Sequence, residues 1–471
     1  MSTARRRYLV ATVLLAACGG EQVLEQIVDP APLPVIEVAS VAPNPRNVMS
    51  ATVTVRARDA DSVAVQFRVA SADATAESAT LAVRVVAGDA AVPVLGLLAD
   101  VAYALRVAAF GPGGTTLGEA LAFTTAALPS DLPSYTAGGP DPSPGYVAFA
   151  AGRYGLVIDN AGRVVWYRRF DPTGPGLNFQ AQPNGRYVAL PATPDPADVE
   201  VFVEVDPLGD ETRRLGCAAG LRPRFHDLLI EPDGGYWIMC DEARTMDLTA
   251  VGGQAAARVT GTVVQHIDPD GGLLFQWRPF DHFSITDLDS ASRVGATVNW
   301  THGNALDRDA DGDLLVSFRS LSEITKISTT SGAVLWRMGG LRNEFTFLDT
   351  PMPAFARQHG VRVTSAGLLQ LLDNLGDPAA SRAERYLVDA SARTVRLVGV
   401  HAANPAAQAL LGGTTQELPE GRSLVAYGNG NRVEEYDGSG VVVWRIEGNP
   451  GYVFRAQRIR SLYAPGVGTP R

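Results

Sequence analysis

The sequence predicts an all-β fold in two parts, an N-terminal β-sandwich followed by a six-bladed β-propeller. Three observations predict it. The 48 glycines and 31 prolines among 471 residues require many turns and hence many short strands. From residue 156 onward, one strand–turn–strand unit recurs along the chain. Three histidines, His226, His302 and His359, open three successive units at the same place, and Gly234, Gly312 and Gly367 mark the turn that follows each. Equivalent positions in the blades of a propeller converge on its central channel. Three histidines far apart in sequence would therefore become one cluster.

Residues 1–17 read as a processing segment and stand outside the fold. Arg5, Arg6 and Arg7 form a basic start, and Tyr8 to Leu15 an apolar run too short to span a bilayer. The stretch ending at Cys18, Leu15-Ala-Ala-Cys, has the form of a bacterial lipobox. It implies cleavage before Cys18 and lipid attachment to its sulfur; a plain secretory signal with a chance cysteine is the alternative. The mature chain is expected to be an exported lipoprotein of the bacterial cell envelope, tethered by residues 18–33 and touching the membrane only through that lipid. Gly19 stands where an aspartate is associated with inner-membrane retention, which points toward the outer membrane.

The net charge is −10 and Lys326 is the one lysine, so there is no basic footprint for nucleic acid. Beyond Cys18 the cysteines are Cys217 and Cys240. In an oxidising compartment the pair can form a disulfide, with two buried thiols as the other reading. Neither has the neighbouring ligands a metal site needs.

Residues 34–126 alternate with period two, as half-buried strands do, in Ala51–Ala57, Ser62–Val69 and Ala79–Val86. Leu97 to Phe110 and a closing run to Phe123 complete the pattern of an immunoglobulin-like sandwich. Tyr103 resembles the tyrosine corner of fibronectin type III domains. Such a domain is expected to be a spacer or adhesive module. Residues 127–144, rich in Pro, Ser, Asp and Gly, read as a linker.

The propeller is expected over residues 145–465. Its repeat starts at Leu156, Phe202, Val264, Ile324, Arg385 and Val433, and four copies end in Trp166, Trp277, Trp336 and Trp444. Six copies fit six four-stranded blades, with a seventh open if the linker contributes a sheet. The tryptophans are expected to staple neighbouring blades. They also allow a quinoprotein-type propeller, although no cofactor site is evident.

The residues that could do chemistry are His226, His302, Asn304, Arg319 and His359. On an extended segment Asn304 would point to the same side as His302. Three imidazoles, an amide and a guanidinium suit an anionic tetrahedral group, since arginine presents a fixed fork of donors. A histidine can act as nucleophile while nearby cations stabilise charge on the transferred group. From spacing alone, catalysis, a three-imidazole zinc site and a structural role all stay open. The Asp307–Asp313 run resembles a calcium loop but equally fills a hairpin turn. His266, His282 and His401 read as packing residues, and Asn374 as a further residue able to face the channel.

The wider motifs are more specific. Trp300-Thr-His-Gly-Asn-Ala-Leu, Ser317-Phe-Arg-Ser and Lys326-Ile resemble ordered elements of the arylsulfotransferase propeller family. The series continues through Trp336-Arg-Met-Gly-Gly, Gln358-His359 and Leu372-Asp-Asn-Leu-Gly. The resemblance covers roughly residues 145–450 and leaves out the sandwich. It implies sulfuryl transfer from a phenolic sulfate ester to a phenol, with no nucleotide sulfate donor and no cofactor. It implies His359 as the transiently sulfated nucleophile, His226 and His302 as acid/base and leaving-oxygen partners, and Asn304 and Arg319 as the cradle for sulfuryl oxygens. Ala305 replaces the family's serine after the asparagine, and Phe318 replaces one serine before the arginine. A non-catalytic propeller binding a ligand or protein partner is the competing reading. The joint presence of five polar channel residues counts against it.

Overall fold

The computed structural model describes residues 31–170, 177–191, 193, 199–350, 354–376, 380–448 and 450–465. Cys18, the processing segment and most of the tether lie outside the described residues. The described chain is built almost wholly of strands, with one four-residue α-helix at Pro279–His282.

The N-terminal part is a two-sheet sandwich. One sheet orders Val35–Pro43, Ala51–Arg58 and Asp89–Val94; the other places Ser62–Val69 beside Ala102–Gly111, which pairs with Gly114–Thr124. Alternate residues, including Val53, Val55, Val63, Val65, Leu105 and Val107, close the core between them. The Tyr103 hydroxyl accepts from Leu98 N at 2.8 Å, the bond of a tyrosine corner. The run Ala79–Val86 is not one strand. It breaks into Ser78–Ala79 and Val83–Arg84, because Thr80 Oγ1 takes the Val65 N–H at 3.0 Å that a continuous ladder would use.

The sandwich does not hang free as a spacer. Met49 is fully buried in a cluster with Tyr154, Tyr167 and Trp444. Leu95 joins a second cluster with Trp166 and Tyr187. Asn44 Nδ2 donates to Leu208 O at 2.7 Å, and Leu95 N donates to Tyr463 Oη at 3.2 Å. The contacts fall on the first, second and sixth sheets of the larger part.

From Tyr135 onward the described residues form six sheets, each a run of antiparallel strands. Their innermost strands are Ala456–Ile459, Gln180–Ala181, Arg222–Ile230, Gly303–Arg308, His359–Val363 and Thr414–Glu417. Neighbouring inner strands touch around a closed ring, the second and third through Gln180 Nε2, which donates to Leu228 O at 3.4 Å. Two strands close it. Ala456–Ile459, near the C-terminus, pairs with Tyr146–Ala151 of the first sheet. Tyr135–Gly138, inside the stretch read as linker, pairs with the outer strand Val442–Gly448 of the sixth. That stretch thus adds an outer strand rather than a sheet of its own. Two of the four repeat tryptophans bond the next sheet's turn: Trp166 Nε1 donates to Pro207 O at 2.7 Å, and Trp444 Nε1 to Asn160 O at 2.9 Å, whereas the Trp277 and Trp336 indole nitrogens are buried without a partner. Cys217 and Cys240 form a disulfide, Cα atoms 6.2 Å apart, joining the segment after the second sheet to the third.

Inside the ring, Asp227 ties four sheets together. It sits on the inner strand of the third sheet and is 1 % exposed. Its carboxylate accepts from Leu306 N of the fourth sheet at 3.0 Å, from Arg362 of the fifth at 3.1 Å, and from Arg455, which enters the first, at 3.0 Å. Removing the charge would leave both guanidiniums short of a partner in a dry site. Asp227→Ala is therefore expected to lower unfolding free energy by about 3–5 kcal/mol in a denaturant titration. A change near zero would show that the ring does not rely on this carboxylate.

Candidate active site

The three histidines stand at one end of the ring, where the inner strands begin. Each is placed there by a local break in regular strand geometry. At His226 the register with the neighbouring strand slips between Pro223 and Leu228, and the bulge frees Phe225 and His226 from the ladder. The His226 carbonyl is held by Asn178 Nδ2 at 2.6 Å and Arg455 Nη2 at 3.3 Å. His302 has φ +50°, in the left-handed region. Two threonines clamp that bend: Thr262 N donates to Thr301 Oγ1, and Gly303 N donates to Thr262 Oγ1, each at 2.8 Å. His359 opens its inner strand before Gly360, whose φ is +64° and where a Cβ would lie 2.8 Å from Thr414 Cα. Only glycine lets the strand approach the sixth sheet so closely.

The imidazoles form one group. The His226 and His302 ring centroids are 4.9 Å apart, with Nε2 to Nε2 at 3.3 Å, and those of His226 and His359 are 6.3 Å apart. Phe454 packs edge-on against His226 and His359, at 5.7 and 6.3 Å. Asn299 Nδ2 lies 2.6 Å from His302 Nδ1. His359 Nδ1 lies 2.7 Å from Asn374 Oδ1, and Gly412 N donates to His359 Nε2 at 3.3 Å. The ladder brings Arg319 beside His302, since Arg319 N donates to His302 O at 3.0 Å. Arg319 Nη2 donates to Leu410 O at 3.1 Å, while its buried Nε has no hydrogen-bond partner. His226 Nδ1 is likewise buried and unpartnered. One donor, Arg319 Nε–H, and one imidazole nitrogen thus stand in the same site without a partner.

The electrostatics agree. Burial is the first cause holding all three imidazoles below their ordinary pKa, His359 at about 4, and the nearby arginines Arg224, Arg319 and Arg357 add to it. The cluster is therefore uncharged near neutral pH. Burial, then Arg357, also disfavours the charge on Arg319. Among the described residues Arg319 forms no ion pair with a carboxylate, whereas Arg224 is held by Asp241 and Arg357 faces Asp289 at 3.5 Å. A guanidinium without a carboxylate partner beside neutral imidazoles is chemically suited to an anion.

His226, His302, His359 and Arg319 are thus brought together, and Asn304 adjoins them through the carbonyl of Gln358, next to His359. Between His302 and Asn304 the backbone is not regularly extended: His302 is left-handed and the register slips between Gly303 and Ala305. Asn304 is fully buried and donates from Nδ2 to Gln358 O at 2.7 Å, bracing the entry to His359. Phe318 points away from the site and packs on Trp277 and Phe283. His266 stacks on Trp237 at 4.3 Å, His282 on Trp277 at 5.1 Å and His401 on Tyr436 at 5.0 Å. In the calcium-like run, Asp309 and Asp311 pair with Lys326. Among the described residues no group of three His, Cys, Asp or Glu is placed to hold a metal ion. A cleft of about 520 Å³, lined in part by Pro142, Leu418, Arg422 and Arg458, lies past the opposite ends of the inner strands. It contains none of the histidines.

Sequence reasoning missed Arg224, in the bulged part of an inner strand, Asn299, ending the short strand Thr297–Asn299, Gly412, in a loop, and Phe454, just before the returning C-terminal strand. No spacing in the repeat marks them.

A closed ring of antiparallel sheets with a polar cluster at one end has the architecture of a β-propeller. Residues 223–449, the part of the chain that holds the histidines, match the arylsulfotransferase (ASST) family. No curated protein matches the chain significantly. Solved structures overlap it loosely. A protein of unknown function from Bacteroides caccae is 14 % identical at TM-score 0.44, covering 68 % of this chain and 100 % of its own. Virginiamycin B lyase from Staphylococcus aureus is 11 % identical at TM-score 0.36, covering 66 % and 87 %. An auxiliary nutrient binding protein from Bacteroides ovatus is 11 % identical at TM-score 0.34, covering 87 % and 86 %.

Burial makes a prediction for His359 that needs no substrate. Followed by NMR from pH 8 downward, its imidazole is expected to stay neutral through pH 6 and to protonate near pH 4. A midpoint at the ordinary value of about 6.5 would contradict the dry environment assigned to it.

Proposed function

We propose that the chain transfers a sulfuryl group from a phenolic sulfate ester to a phenolic acceptor, in two steps, through a sulfohistidine at His359. Sulfuryl transfer is supported at the level of the family domain. The observation that carries the finer reading is a neutral His359, hydrogen-bonded through Nδ1, in one site with a guanidinium that pairs with no carboxylate among the described residues.

In the first step His359 Nε2 attacks the ester sulfur. The N–S bond forms as the S–O bond to the aryl group breaks, and phenolate departs with the bonding pair. A ring N–H of His302 or His226 hydrogen-bonds the departing oxygen. In the second step a phenol attacks the sulfur and gives its proton to one of these neutral imidazoles. The new S–O bond forms, N–S breaks, and His359 recovers its lone pair. The sulfuryl oxygens stay anionic throughout, so the transfer depends on positioning and charge stabilisation rather than on proton delivery to sulfur. Arg319 Nε–H and His226 Nδ1 are the unpartnered buried groups able to meet those oxygens. Asn304, bonded to the Gln358 carbonyl, acts on this reading by holding the strand that presents His359.

The surroundings suit an aromatic ester. Phe454 lies against two of the imidazoles, Tyr452 lies 6.2 Å from Phe454, and the exposed Leu410 and Leu411 add apolar surface next to Arg319.

Intact mass after mixing with 4-nitrophenyl sulfate tests the reading. One added sulfuryl group is expected, discharged when phenol is supplied. His359→Asn is expected to form no adduct and to lose transfer by about a thousandfold or more while keeping its fold. Unchanged nitrophenolate release by His359→Asn would remove His359 from the nucleophile's role.

A further inference from the structure

Asn374 does more than fill space beside His359. It follows the strand Leu369–Asp373 and is fully buried. Its side-chain nitrogen donates to two backbone carbonyls of one loop, Ala409 O at 2.7 Å and Gly412 O at 2.9 Å. An amide has two N–H donors, and both are committed to oxygens that can only accept. The amide therefore has one orientation, and Oδ1 must be the atom that faces His359 Nδ1 at 2.7 Å. An amide oxygen cannot donate, so the proton of that bond sits on Nδ1. The lone pair is then on Nε2, and a further contact agrees: Gly412 N, which can only donate, points at Nε2 at 3.3 Å. The Arg357 backbone also bonds the ring and favours an N–H on it. Four hydrogen bonds thus select the same tautomer.

We infer that Asn374 is a positioning residue that fixes His359 as the Nδ1–H tautomer and so makes Nε2 the attacking atom. Resting on the proposed role of His359, this adds a relay: loop carbonyls at 409 and 412 orient Asn374, and Asn374 orients the imidazole. The loop is itself anchored. Ala409 N donates to Ser381 Oγ at 2.7 Å, Leu411 N to Asn429 Oδ1 at 2.9 Å, and Gly413 N to Phe454 O at 3.1 Å. Arg319 bonds the same loop at Leu410 O, so the nucleophile and the cation share one backbone support. Gly412 has φ +70°, and a Cβ there would lie 2.3 Å from the Tyr452 hydroxyl, so the loop requires glycine at this point.

The tautomer can be read without substrate, by long-range nitrogen–proton correlation in protein labelled at its six histidines, with His359→Asn providing the assignment. Wild-type His359 is expected as Nδ1–H, and Asn374→Ala is expected to lose that preference and to lower transfer by about a hundredfold or more. Asn374→Asp keeps an oxygen toward Nδ1 and is expected to retain the tautomer and more of the rate than the alanine variant. Wild-type protein found as Nε2–H overturns the inference, as does an alanine variant that keeps Nδ1–H. If the alanine variant does not fold, the aspartate variant decides: Nδ1–H supports the relay, and Nε2–H overturns it. Absence of the sulfuryl adduct in wild type would count against His359 as nucleophile and leave the tautomer result standing, so the two failures are separable.

Discussion

A single carboxylate, Asp227, stands where four of the six sheets meet, and the neighbouring residue is His226. The bonds it accepts from Leu306 N, Arg362 and Arg455 join the third sheet to the fourth, fifth and first. A ring of separate sheets has no continuous backbone ladder across its centre, so inter-sheet geometry there depends on side chains of this kind. Arg455 reaches Asp227 because the C-terminal strand Ala456–Ile459 returns to complete the first sheet. The same return carries Phe454 against His226 and His359. Ring closure and site assembly are therefore one event, and the N-terminal sandwich, packed through Met49 and Leu95 on the sheets beside the closure, braces it.

The chemistry of the site follows from what is absent around the imidazoles among the described residues. The charged groups that influence them are arginines, and burial outweighs each of these. A carboxylate beside any of the three would raise its pKa and leave an imidazolium at neutral pH, unable to attack. The carboxylates near the site are instead committed elsewhere, Asp241 to Arg224 and Asp227 to Arg362 and Arg455. Arg319 is the cation left over. Neutral nucleophile and free cation are both needed for a loose transfer to an anionic sulfuryl group, and one local charge balance provides both.

Much of this was legible in the sequence, for reasons that differ by residue. His226, His302 and His359 were legible because repeat position maps directly onto channel position. The tryptophan stapling was legible because Trp166 and Trp444 occupy the same place in their units as well. For Asn304 strand alternation was a weak guide, since His302 adopts φ +50°, and its contact is with the Gln358 carbonyl beside His359. Phe454, Gly412 and Asn299 carried no signal at all. They reach the site through ring closure, from a loop, or, for Asn299, from the short added strand Thr297–Asn299 that belongs to no repeat unit. Residues 127–144 looked like a linker by composition, yet Tyr135–Gly138 completes the sixth sheet, since an edge strand needs little apolar content of its own.

The account stands or falls on a neutral imidazole as the attacking group. The direct measurement is the pH dependence of kcat/KM for nitrophenolate release from 4-nitrophenyl sulfate, a donor whose sulfate monoanion does not titrate in the range of interest. This parameter reports the ionisation of the free enzyme. A rate that holds level from neutrality to about pH 5 and falls toward pH 4 is what a buried, neutral His359 predicts. A rate that falls instead through about pH 6.5 would mean that the attacking imidazole is solvated and ordinary, and would contradict the dry, cation-flanked site on which the mechanism depends.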